Sequence, residues 1–88
     1  MASHDTLLEF DYESSERATV VAESVAREIG EIDDERSRTT IERDGSVVTI
    51  RIDAEDVIAL RAAVNTWFAL VDVAERTVEI GVAARHDR

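Results

Sequence analysis

Residues 60–71 read LRAAVNTWFALV, a stretch whose sole charge is Arg61 in a chain that is 34% charged. No other feature restricts the fold so strongly. On a helix at about 100° per residue, residues 57–80 gather Arg61, Asn65, Asp72, Arg76 and Glu79 in one narrow sector, with Glu75 just outside it. Val57, Leu60, Val64, Trp67, Val71, Ala74 and Val78 form a stripe with alternating steps of three and four, the seam used by packed helices. A second broad side carries Ala59, Ala62, Ala63, Ala69, Leu70 and Val73. A surface helix needs one apolar face about 100° wide or a little more. This helix has far more, so one side is expected to pack inside the domain and much of the rest to meet another chain.

The length sharpens that expectation. An 88-residue chain is one domain, and one this small has a marginal core. There is no Cys, so neither disulfides nor thiolate-bound zinc can add stability. Oligomerisation or partner binding is the remaining stabiliser. The run at 62–71 is interrupted by Asn65 and Thr66 and falls short of the roughly 20 residues of a membrane span. The opening MASHDTLLEF has neither a basic n-region nor a long apolar h-region. A soluble cytoplasmic chain without a signal peptide or membrane contact is expected.

Twenty Asp and Glu stand against 10 basic residues, all of them Arg, for a formal net charge of −10. Acid excess with no Lys points to a halophile with a salt-rich interior, the alternative being an ordinary acidic protein from a GC-rich genome.

Along the chain, TLLEFDY alternates, with Leu8, Phe10 and Tyr12 on one face of a strand. SSERATVVAESVAREIG follows as a helix: Ser14 or Ser15 caps it, Ala18, Val21, Ala22, Val25 and Ile29 share one face, and Gly30 ends it. EIDDER reads as an acidic connector. SRTTIERDGSVVTIRID reads as a hairpin turning on Asp44-Gly45. Arg43 flanking Ser46 then sets Ile41 against Val48, Thr39 against Ile50, and Arg38 against Arg51. Asp53 is expected to cap the last helix and Gly81 to end it, leaving 82–88 as a disordered tail after a domain of residues 1–81. The predicted class is α+β: β-α-β-β-α, a three-stranded antiparallel sheet with two helices packed on one face.

Two stretches, SERATVVAESVAREIGEIDDERSRT and IDAEDVIALRAAVNTWFALVDVAE, resemble the small Pcc-family (CTAG/Pcc-like) subunit of the KEOPS complex. The most specific piece is ALRAAVNTW, in which Leu-Arg is followed four residues on by Asn and then an aromatic. The resemblance implies a non-catalytic, homodimeric, half-KH-like subunit. Its complex installs threonylcarbamoyladenosine beside the anticodon of tRNA. Its expected partners are the ATPase-fold transferase, which it binds through its helices, and indirectly a kinase-like subunit. It also implies help in holding tRNA, and no cofactor. On this reading Val57, Leu60, Val64, Trp67, Phe68 and Val71, with Arg61 and Asn65, form the partner or dimer interface.

Four arginines are candidate RNA contacts: Arg36, Arg38, Arg51 and Arg61. The expected Arg38–Arg51 pairing places like charges opposite each other, a cost that an anion such as phosphate would relieve. Overall acidity and a salty interior oppose RNA binding by the isolated chain. Catalysis is not expected. His4 and His86 sit near the two ends, and Gly30, Gly45 and Gly81 are too scattered for a phosphate-cradling loop. The rival expectation is a self-contained homodimeric structural or regulatory module unrelated to tRNA modification.

Overall fold

The computed structural model describes residues 4–33 and 35–86, with side chains as far as residue 77. The order is β1 (His4–Asp11), α1 (Ser15–Ala26), α2 (Ile29–Ile32), β2 (Ser37–Asp44), β3 (Val47–Ala54) and α3 (Val57–His86). The sheet is antiparallel in the order β1-β3-β2, with β3 in the middle. The expected α+β architecture is therefore present, with one short additional helix.

The core follows from period two meeting period 3.6. β3, paired on both edges, turns Val48, Ile50, Ile52 and Ala54 toward the helices. α1 turns Ala18, Val21 and Val25 down onto them, and α3 contributes Ala63, Trp67, Val71 and Ala74. Leu8, Phe10 and Ile41 close the cluster from the two outer strands. The Trp67 indole is fully buried, and its Nε1–H donates to Thr39 Oγ1 at 3.0 Å, which explains a buried threonine on β2. The Thr39 backbone N–H donates in turn to Asp33 Oδ2 at 2.9 Å. Part of the acidic connector thus closes one open donor of an edge strand.

The hairpin register differs from expectation by two residues. Asp44 pairs with Val47, so the loop is Gly45-Ser46, and Ile41 lies opposite Ile50 and Thr39 opposite Ile52. The reason is backbone chirality. An Asp44-Gly45 loop of type I′ would need positive φ at both residues. Gly45 has φ +62°, while no non-glycine residue among those described has positive φ. Glycine leads the turn and Asp44 stays extended. A shift of two preserves which side chains face the core, because alternation has period two. It does change the cross-strand partners: Arg38 faces Asp53, and Arg51 faces Thr40.

Helix ends differ too. Of the two candidate serines it is Ser14 that caps α1, its Oγ accepting from the Arg17 N–H at 3.1 Å. α1 stops at Ala26 rather than Ile29, and Gly30 lies within α2 instead of ending a helix. The break comes where Glu28 N–H bonds back to the Val25 carbonyl, three residues away rather than four, tightening the turn. Asp53 remains in β3, held by partners on both sides. The α3 cap is Asp56, whose Oδ1 accepts from the Ala59 N–H at 2.7 Å. α3 runs through Gly81 to His86, since no proline follows and the next residues tolerate a helix; residues 87–88 lie outside those described.

Asp56 carries a testable consequence. Its bond from Ala59, then its bidentate contact with Arg36 (2.6 and 2.9 Å), hold its pKa below the ordinary 3.8. A depressed carboxylate stabilises the fold fully above the unfolded value, and that contribution is lost as pH falls through the lower folded value. Asp56→Ala should lower the melting temperature at pH 7, and Asp56→Asn should lower it less because Asn also caps. The difference between wild type and Asp56→Ala should shrink in thermal scans as pH drops below 3.8.

Candidate docking face

α3 contains 30 residues, about 45 Å of helix, against 12 in α1. The sheet and α1 engage one side of it. By length and composition, Val57–Thr77 would suit a membrane span, with mean hydropathy 1.5. This corrects the shortfall expected from the run at 62–71. Its inner side is packed on the chain's own sheet, while most of the stretch stays outside the core, only 28% of it being buried.

The residues expected at an interface divide between the two sides. Trp67 and Val71 are buried in the chain's own core, and Leu60 and Val64 pack partly against it. Trp67 and Val71 therefore present no surface to a partner; the bulkiest side chain fills the space above a small sheet. Val57 and Phe68 remain about half exposed, and the Phe68 ring meets Phe10 edge-on at 5.9 Å. Arg61 and Asn65 are exposed. Val78 and Glu79 lie beyond the side chains described.

The outward side is better defined by residues given less weight in the sequence. Ile58 is 75% exposed and Val73 59%, with Ala62 and Ala69 exposed between them. Their spacing of four, seven and four keeps them on one strip opposite Trp67. Shallow grooves flank the strip. One, beside α2, includes Ile32, Ala59, Ala62, Ala63 and Thr66 together with Arg36; the other, beside α1, includes Val25, Leu70, Val73 and Ala74 together with Glu28. Small side chains here permit close approach of another helix. The signal that would have found the strip is size: in a small core the largest apolar residue goes inside, and the opposite side is left outward.

The four arginines do not converge. Arg36 is bound to Asp56 at the start of α3. Arg51, on the sheet face away from the helices, lies 3.4 Å from Asp5 and 3.8 Å from Asp53. Arg38 shares that open face, where Asp5, Glu9, Asp11, Glu42, Asp44 and Asp53 outnumber the two cations. The like-charge pair that suggested a phosphate does not form. Arg61 lies on the helical layer, across the sheet from Arg38 and Arg51.

A second linkage secures the C-terminal part of the engaged stretch. The Tyr12 hydroxyl donates to Glu75 Oε2 at 2.7 Å. Burial, then that hydrogen bond and the carboxylate charge, push the phenol pKa well above its ordinary value, so it stays protonated. This bond ties the end of β1 to α3.

Comparison with known proteins bears on the fold and the family. No curated protein sequence matches the chain. A chain of the crystal structure of a binary Gon7–Pcc1 complex superimposes with a TM-score of 0.72 at 13% identity, covering 91% of this chain and 98% of that one. At that identity the likeness shows the fold. Residues 6–79 match the family described as Transcription factor Pcc1, which spans β1 through most of α3. The chain belongs to the Pcc1 family.

Proposed function

We propose that this chain is the non-catalytic docking subunit of a KEOPS-type complex that makes threonylcarbamoyladenosine in tRNA. The supporting observation is the exposed apolar strip of α3 on a Pcc1-family chain. In this reading a helical surface of the ATPase-fold transferase covers Ile58, Ala62, Phe68, Ala69 and Val73. The kinase-like subunit is reached through the transferase. The chain also pairs with a second copy, so that two assemblies are joined, in a salt-rich archaeal cytoplasm.

tRNA assistance belongs to the assembled complex. A formal charge of −10 and an acidic open sheet face repel a polyanion, while high salt removes long-range steering. The same charge disfavours duplex DNA as a direct ligand of the isolated chain.

Reconstitution tests the reading. The chain is mixed with the purified transferase subunit of its own host in molar potassium chloride, and mass is read by light scattering during size-exclusion chromatography. A stable complex is expected. Self-association with no transferase binding would favour the self-contained homodimeric module instead.

A further inference from the structure

Arg36, Arg51 and Arg76 each have a carboxylate within the chain: Asp56, Asp5 with Asp53, and Asp72 respectively. Arg61 has neither an ion pair nor a hydrogen bond among the described residues. Its neighbours one helical turn away are Val57, Ile58, Val64 and Asn65, and two turns on lies Phe68. Arg17, Arg27 and Arg38 share that lack of an ion pair, but Arg61 alone of the four stands on α3, at the border of its polar sector, with exposed apolar Val57, Ile58 and Phe68 beside it.

We infer that Arg61 is the specificity-determining contact of the docking face and takes a carboxylate on the partner's helix. This rests on the docking reading above and names the chemistry its partner must carry. Once Val57, Ile58 and Phe68 are covered, water leaves the guanidinium. A desolvated charge without a counter-charge is costly, whereas a planar guanidinium and a carboxylate match through two parallel hydrogen bonds. Asn65, one turn along, offers an amide to the same partner segment. A partner helix lacking an acid at that position leaves Arg61 unpaired and is rejected, which is how a mainly apolar surface discriminates.

A protein carboxylate fits the surroundings better than an RNA phosphate. Successive phosphates call for several free cations together, and Arg76, along the same helix, is already held 2.9 Å from Asp72. The flanking surface is aliphatic and aromatic, which a second helix covers and a phosphate backbone does not.

The experiment measures the affinity of the full chain for the purified transferase subunit in molar potassium chloride. Wild type is compared with Arg61→Gln, Arg61→Glu and the open-face control Arg51→Gln. Thermal melts of the free variants establish folding; Arg61 is exposed and has no partner among the described residues, so their midpoints should stay near wild type. Arg61→Gln should weaken binding at least ~30-fold, Arg61→Glu should weaken it further, and Arg51→Gln should leave it unchanged. Wild-type binding with less than about a twofold change in both Arg61 variants would overturn the inference while leaving the docking reading in place. Unchanged transferase affinity with reduced tRNA retention by the assembled complex would also overturn it and assign Arg61 to phosphate. Absence of wild-type binding would remove the docking reading itself, a different result from either.

Discussion

Trp67→Ala should remove about 3–5 kcal/mol of folding stability, the range for emptying a well-packed aromatic site. A chain of this length has only about 4–13 kcal/mol in total, so the variant should sit near the edge of unfolding. The indole is fully buried within the cluster formed by α1, β3 and α3, and its N–H has one buried partner, Thr39. Removing it leaves a cavity and strands the threonine hydroxyl. Urea unfolding followed by far-ultraviolet circular dichroism checks the value. Trp67→Phe separates the two losses, since it keeps much of the volume but leaves Thr39 without its donor, and should cost about 1–3 kcal/mol. A stability loss under about 1 kcal/mol for Trp67→Ala would mean that the residue is not the centre of the core. Such a variant could not report on assembly, because what it damages first is the fold.

The tryptophan also shows how far the sequence could be read. That α3 has more apolar surface than one sheet can cover is written in residues 57–77 and holds in three dimensions. Which side turns inward is not written there, because a helical wheel has no absolute orientation. The stripe through Leu60, Trp67 and Val71 and the strip through Ile58, Ala62 and Val73 differ mainly in bulk, and only the volume above β3 chooses between them. β1 and β3 were legible from alternation, and the start of α1 to within Ser14 or Ser15, the two serines before a helical pattern.

The hairpin illustrates the limit more sharply. Period-two alternation cannot distinguish registers two residues apart, so the apolar faces were assigned correctly while the cross-strand partners were not. The positive φ of Gly45 alone, with Asp44 extended, decided that Arg38 meets Asp53 and not Arg51. The candidate phosphate site on the sheet depended on that pairing and fell with it. The cap moved from Asp53 to Asp56 for a similar reason. Both are good capping residues, and only pairing of β3 with two distant strands keeps Asp53 extended.

Ile58→Asp combined with Val73→Asp should leave the fold intact and abolish docking. Both side chains point away from the core, so neither change opens a cavity. Asp at position 58 lies in the first turn of α3, where negative charge is favourable to the helix dipole. Asp at 73 stands three residues before Arg76, a spacing that favours opposite charges. The melting temperature should therefore remain within a few degrees of wild type, in contrast to Trp67→Ala. Binding should respond in the opposite way. Covering a carboxylate with an apolar partner helix costs several kcal/mol unless the charge is matched, and two such sites lie at opposite ends of the strip. A loss of at least ~100-fold in affinity for the transferase subunit is expected by isothermal titration calorimetry. Retained wild-type affinity with an intact fold would place the docking surface elsewhere, on the sheet or α1, and leave the outward strip of α3 without a role. The expected pair of results assigns opposite sides of one helix to separate tasks. On that outcome Trp67 and Val71 would hold the domain together, while Ile58 and Val73 would hold the assembly.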